Sequence, residues 1–272
     1  MPTEFAVVCV LHGNPELPAW LRDPSLNLHL VVNDPAPGAY LELPAASVYV
    51  NTLPLGFAAN VNAALARVWG TGVEVAVCVN FDLELDPVAL PRLVAALDGD
   101  RVALAGPVMQ DFSGRPAFSV GGPPTALKEF TRAAGLRSGG AQRVVRGVLR
   151  RVPAWQGRNL GARVLEPWEY LPWTCVALRR AAWEAVGPLD ERFVMYAEDL
   201  DWGRRAAAAG WQSRLVDVGP VRHAERATRD ARSDEVYEQS HAALHAKWAR
   251  PDLARWQTRG QRLQKVLGRF SD

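Results

Sequence analysis

Three short apolar runs constrain this chain more than any other feature of it: FAVVCVL at 5–11, LHLVV at 28–32 and VEVAVCV at 73–79. Each is rich in β-branched residues and is cut off by a polar or turn-forming residue, at Gly13, Asn33 and Asn80 respectively. Continuous rather than alternating apolar character means burial on both faces, the signature of parallel strands covered by helices. The intervening sequence supplies those helices. Phe57, Val61, Ala64, Leu65 and Val68 recur at helical spacing, and Gly70 ends the pattern. Asp86 and Pro87 offer an N-cap and a first-turn proline ahead of Leu90, Leu93, Val94 and Leu97. Strands alternating with helices predict an α/β protein built on a doubly wound, mostly parallel central sheet. Ligands of such sheets bind beyond the carboxyl ends of the strands.

The pattern degrades over residues 118–173. Gly121-Gly122-Pro123-Pro124, Gly139-Gly140 and eight arginines between Arg132 and Arg163, with no acid from Glu129 to Glu166, read as a loop-rich connection. Order returns with a helix at 179–186, closed by Gly187-Pro188, and another at about 198–209, with acids in its first turn and Gly210 as its stop. A strand at 213–218 follows and delivers His223 just beyond its end. From about Asp234 the chain is helical and basic. The expected organisation is one domain over 1–233, with a nucleotide-binding half at 1–117 and an acceptor-side half at 118–233, and a C-terminal extension over 234–272.

Composition excludes several classes. The 31 basic and 29 acidic residues leave a formal charge of +2, so no overall field draws the chain to nucleic acid. Three scattered cysteines, Cys9, Cys78 and Cys175, suggest a reducing compartment and no metal cluster. The first residues carry an acid, Glu4, where a signal peptide is basic. No run approaches the roughly eighteen apolar residues of a membrane span. A cytoplasmic protein is expected.

Two acidic stretches carry the chemistry. The first, Asn80-Phe81-Asp82-Leu83-Glu84, follows a strand end. Strand alternation would aim Asn80, Asp82 and Glu84 to one side, where a carboxylate can hold a hard divalent cation. Asn and Asp also serve ordinary turns and helix caps. The second is Glu198-Asp199-Leu200-Asp201 at a helix start. Acids are common there, because the helix dipole stabilises their ionised form, and that same dipole lowers their basicity. Repulsion among the neighbouring acids opposes it.

The segment from Val186 through Gly-Pro-Leu-Asp-Glu, an aromatic stretch and Glu198-Asp199 to an arginine-containing helix ending in Gly210-Trp211 resembles glycosyltransferase family 2, especially its bacterial rhamnosyltransferase-like branch. Earlier segments resemble it in the same order: Val32-Asn33-Asp34, then Asn51 through Gly56-Phe57 to Asn60 and Asn62, then Asn80-Phe81-Asp82 in place of the family's Asp-x-Asp motif. The resemblance covers about residues 5–225. It implies a GT-A fold with a loop-rich acceptor side and single-displacement inversion. A sugar, on this branch a deoxysugar such as rhamnose, would move from a nucleotide-diphosphate donor to a hydroxyl of a polysaccharide or glycolipid.

The resemblance also implies roles. Asp199 matches the general base and Glu198 the acid beside it. Asp82 and His223 would hold Mn2+ or Mg2+, imidazole suiting manganese at least as well as magnesium. His12, Asn14, Asp34, Asn60, Asn80 and Asp82 would contact the nucleotide sugar. Trp173 and Trp202 lie toward the acceptor side in sequence, where flat aromatic faces could stack on sugar rings; core packing is the ordinary alternative. Trp173-Thr174-Cys175 departs from the family's usual Gly-Ala pair, and Asn80 replaces a first Asp. The basic tail offers peripheral contact with anionic lipid at the inner face of a membrane, or simply a solvated helix face. Two rivals remain: a catalytically lapsed, nucleotide-binding relative that scaffolds polysaccharide assembly, and a nucleotidyltransferase. The second would place a Gly-rich, basic loop after the first strand, whereas this chain has His12-Gly13-Asn14-Pro15.

Overall fold

The apolar runs become β1 (Ala6–His12), β2 (Leu28–Asn33) and β4 (Val75–Val79), and every residue of β2 and β4 is buried, as two covered faces require. They belong to a computed structural model that describes residues 4–13, 16–33, 47–51, 53–134, 161–223 and 231–268, with side chains over 235–265 in the last segment. The chain divides into two compact units, one of residues 1–121 with 159–228 and one of 122–158 with 229–272. The division differs from the sequence-based halves, because the segment after Gly121 groups with the C-terminal helices.

The first unit carries the sheet. Its remaining strands are β3 (Ser47–Asn51), β5 (Leu83–Leu85), β6 (Val102–Gln110), β7 (Arg163–Val164), β8 (Cys175–Arg179) and β9 (Gln212–His223). Their order is β3-β2-β1-β4-β8-β6-β9-β5, with β7 also paired to β9. β1 to β4, β6 and β9 run one way, and β5, β7 and β8 oppose them, so the sheet is mostly parallel. β6 and β8 have no counterpart in the sequence reading. β9 runs longer than the predicted strand: a register shift after Pro107 absorbs Gly219-Pro220, a pair that reads as a stop, and the strand continues to His223.

Helices cover both faces. Side chains on alternate strand positions, Ala6 and Val8, Ala76 and Cys78, Val176 and Leu178, pack with α1 (Phe57–Gly70), α4 (Arg180–Val186) and α5 (Glu198–Ala208). The other set, Val7 and Cys9, Val75 and Val77, Cys175 and Ala177, packs with Trp20, Leu21 and α2 (Ala89–Ala95). Period-2 alternation thus feeds two cores from one sheet. Val61, Leu65 and Val68 of α1 are almost wholly buried; each contributes about 1.5–3 kcal/mol. α2 begins two residues after Pro87. Asp86 Oδ1 still accepts from Val88 N at 3.0 Å, so the predicted capping acid serves the turn that leads in.

The second unit is helical among its described residues: α3 (Ala126–Ala133), α6 (Ala231–Lys247) and α7 (Pro251–Gly268). The predicted tail helix is therefore two helices, parted at Ala249, whose φ is +50°. α3 approaches α7 so closely that a Cβ on Gly260 would lie 2.5 Å from the Phe130 carbonyl oxygen. Residues 135–160, the centre of the region read as loop, lie outside the described residues. No described helix is long and apolar enough to cross a membrane.

Candidate active site

The carboxyl ends of the parallel strands form the edge where the sequence places its polar residues. His12, Asn33 and Asn51 align across β1, β2 and β3 as register partners. His12 is exposed there. The three amides of Asn33, Asn51 and Asn60 interlock: Asn51 Nδ2 donates to Asn33 Oδ1 at 3.0 Å and to Asn60 Oδ1 at 2.7 Å. Asn60 is fully buried, and its own Nδ2 donates to the carbonyls of Leu55 and Gly56 at 3.1 and 3.0 Å. With both donors and its oxygen engaged inside the chain and no exposed surface, Asn60 presents nothing to a nucleotide. It braces the loop before α1, which corrects its expected role. Asn33 and Asn51, present in the sequence motif but not singled out there, belong to that brace. Asn14 and Asp34 lie outside the described residues.

At the end of β4 the chain turns at Phe81 and Asp82 before β5, so uninterrupted strand alternation does not link Asn80 to Glu84. Asn80 N donates to the Thr174 carbonyl at 2.8 Å, which ties this turn to the start of β8. β5 then pairs with β9, placing His223 opposite Leu83. His223 Nε2 consequently lies 3.3 Å from Asp82 Oδ1. That oxygen is buried, and although His223 is near, no hydrogen bond of good geometry reaches it among the described residues. Glu84 is exposed and faces Arg222 at 3.6 Å. A buried, unsatisfied carboxylate oxygen beside an imidazole nitrogen is a donor set that fits a divalent cation.

The second acidic stretch starts α5. Tyr196 and Ala197 immediately before it both have φ of +71°, a left-handed conformation that costs non-glycine residues of order 1 kcal/mol each. Packing holds this strained lead in place. Phe57 N donates to the Val194 carbonyl at 2.7 Å. Gly56 permits the approach, since a Cβ there would sit 2.6 Å from the Val194 oxygen and 2.9 Å from its Cα. Asn62 bonds both the N–H and the C=O of Leu189, at 3.0 and 2.9 Å. The loop before Glu198 is thereby fastened to the first turns of α1, which follows β3 at the same sheet edge.

Glu198 is buried, with Oε2 lacking a hydrogen-bond partner among the described residues. Burial and the adjacent Asp199 charge push its carboxyl well above the usual range. Asp199 is half-buried by surface area, and its Oδ1 accepts from Leu200 N at 2.7 Å. Burial raises it to about 7, against the lowering effect of backbone bonds. Desolvation therefore outweighs those backbone bonds, and a carboxylate held so can take up a proton near neutrality. Asp201 differs: fully buried, it holds Arg205 Nε at 2.9 Å, and Arg205 in turn donates to the carbonyls of Val186 and Pro188.

Trp173 and Trp202 are 3% and 0% exposed. They form a cluster with Trp183, ring centroids 5.7–6.3 Å apart, and Trp202 Nε1 donates to the Gly187 carbonyl at 2.9 Å. Neither ring offers a face to a sugar, so both are core residues and not the acceptor platform expected from sequence. The cluster does join the two acidic stretches: Trp173 precedes β8 beside the Asn80 turn, and Trp202 lies on α5 three residues after Asp199.

The sheet order, the two helical layers and the acidic groups at the carboxyl edge define the GT-A class of fold. A mannosyltransferase from Pyrobaculum calidifontis, solved with GDP-Man and Mn2+, matches with a TM-score of 0.54 at 15% identity, covering 96% of this chain and 71% of its own. TarS of S. aureus matches with a TM-score of 0.50 at 12% identity, over 89% of this chain and 40% of its own. In sequence, the N-acetylglucosaminyl-diphospho-decaprenol L-rhamnosyltransferase of Mycobacterium tuberculosis is 30% identical over 197 residues, or 68% of this chain. The chain spans 60% of the length of that relative. No family model matches. The chain is thus similar to a rhamnosyltransferase in sequence and to GT-A glycosyltransferases in fold.

Proposed function

We propose that the protein is an inverting glycosyltransferase that moves a sugar, of the deoxyhexose type exemplified by rhamnose, from a nucleotide-diphosphate donor to a hydroxyl of a lipid-linked or polysaccharide acceptor. The observation that carries this reading is Asp199, a carboxylate raised to about 7 at the edge where the strands end. In its ionised form it accepts the proton of the attacking hydroxyl as that oxygen displaces the diphosphate in one step. Glu198, buried beside it, repels the second charge and keeps the pair's proton affinity high. The strained lead at Tyr196-Ala197 and its ties to α1 fix where the base points.

On the donor side, His12, Asn80 and Asp82 stand at the ends of β1 and β4, where a nucleotide diphosphate would lie. Asp82 and His223 would hold a divalent cation, which when bound supplies positive charge to the leaving diphosphate. Replacing Asp82 by Asn should leave the fold intact and weaken Mn2+-dependent binding of the donor. A panel of nucleotide sugars with Mn2+ or Mg2+, read by thermal shift and by diphosphate release, checks this. Equal donor response in Asp82→Asn and wild type would remove Asp82 from the site, and no response to any donor in the wild type would favour the scaffold reading.

A lipid-linked acceptor fits the second unit. Arg255, Arg259 and Arg262 line one face of α7 together with Pro251, Ala254 and Thr258, and Trp256 is 37% exposed beside them. Such a surface suits anionic headgroups. Vesicles containing anionic lipid should sediment the protein at low salt and release it as salt rises; no binding at low salt would remove this contact.

A further inference from the structure

We propose that Glu129, His241 and His245 form a binding site for one zinc-type divalent ion in the helical unit, separate from Asp82 and His223. His241 and His245 are four residues apart on α6 and so share one helix face, and Glu129 reaches them from α3. Their ligand atoms all lie within 4.8 Å of one another. Glu129 Oε1 is 3.4 Å from His241 Nδ1, and Glu129 Oε2 is 3.4 Å from His245 Nε2.

These spacings are longer than a well-formed hydrogen bond. Each by itself is near the separation, about 3.3–3.4 Å, of two donors on one tetrahedral zinc with bonds of 2.0–2.1 Å, and the two involve different oxygens of the Glu129 carboxylate. His245 is 2% exposed, yet among the described residues neither ring nitrogen has a hydrogen-bond partner of good geometry, although Gln257 lies near enough to favour its protonated form. A buried imidazole left unsatisfied is destabilising on its own, and an ion between it and Glu129 would satisfy it.

The charges agree. Glu129 and Glu238 face one cation, Arg132, which lies 2.7 Å from Glu129 Oε2 and 3.3 Å from Glu238 Oε1 and stacks over Tyr237 at 4.0 Å. Arg132 Nη1 also lies 3.4 Å from His241 Nδ1. With neutral imidazoles the cluster has one uncompensated negative charge. Gln257 Nε2 donates to Glu238 at 2.6 Å and holds it on the Arg132 side. Arg250, the other cation acting on His245, is paired with Asp252 at 2.7 Å. A carboxylate has about four lone-pair sites, so Glu129 can keep Arg132 and still ligate. Two imidazoles and one carboxylate select zinc or cobalt over magnesium.

The test uses the full chain carrying Asp82→Asn and His223→Ala, stripped with chelator and titrated with Zn2+ by calorimetry and with Co2+ by visible absorption. One equivalent of Zn2+ should bind, the Co2+ form should show the absorption of a low-coordinate imidazole site, and Tm should rise on loading. Adding His241→Ala with His245→Ala should abolish both signals while circular dichroism keeps its helical content. Absence of stoichiometric Zn2+ binding in the Asp82→Asn, His223→Ala chain would overturn the proposal. So would a Co2+ spectrum of purely octahedral, oxygen-ligated character, a result that stands even if the double-histidine variant fails to fold.

Discussion

Replacing Asp199 by Asn should lower kcat by about 10²–10⁴-fold, the range a positioned general base supplies, while nucleotide affinity stays near that of the wild type. The same substitution should stabilise the protein in a pH-dependent way. Asp199 is raised from an ordinary 3.8 to about 7 in the folded chain, so the folded state holds its proton more tightly than the unfolded state does. Its contribution to stability is fully present below about 3.8 and is lost as pH rises through about 7. The neutral amide escapes that loss. The Tm advantage of Asp199→Asn should therefore grow from about pH 4 to about pH 7 and then level off, and calorimetry across that range checks it. In the wild type, kcat/KM should climb on the acid side with an apparent pKa near 7 that belongs to the Glu198–Asp199 pair. Normal transfer by Asp199→Asn would sink the assignment of the base.

Trp202→Ala should be the most destabilising single change in the first unit. The side chain is fully buried between Trp173 and Trp183, and truncating such a residue costs about 3–5 kcal/mol, or roughly 6–20 °C in Tm for a unit of this size. Trp202→Phe keeps much of the packing and loses the bond to the Gly187 carbonyl, at about 1 kcal/mol. For the Phe variant we expect a lowered Tm and an unchanged KM for the acceptor. A raised acceptor KM with Tm intact would return Trp202 to the sugar-stacking role suggested by sequence. The experiment separates the two because a core residue acts on the whole unit and a platform residue acts on one ligand.

Much of the α/β frame was legible because local chemistry decides it. The runs at 5–11, 28–32 and 73–79 could hardly be anything but covered strands, and α1 and α5 end at Gly70 and just before Gly210, where glycine breaks their pattern. β6 and β8 escaped notice for an equally physical reason. Gly106 and Pro107 interrupt the first, and the five residues of the second are too few to show a period. Their antiparallel pairing is a long-range choice that no window of sequence contains. The capping acid Asp86 and the long run of β9 lie between these cases, since turn residues mark a bend without saying whether the strand resumes.

Residue type and order determined the acidic stretches, the basic arginines of α7 and the likeness to a rhamnosyltransferase. Tertiary structure alone decided where each candidate side chain stands. Asp82 and His223, far apart in the chain, stand 3.3 Å apart only because β5 pairs with β9. Asn60 and Trp202 look like ligand contacts in a motif and are absorbed by the brace and the core, because partner satisfaction and burial depend on what packs around a side chain. Glu198 and Asp199 begin a helix, a place that by itself lowers a carboxyl's pKa. Desolvation, which depends on what packs around a carboxyl, raises both instead.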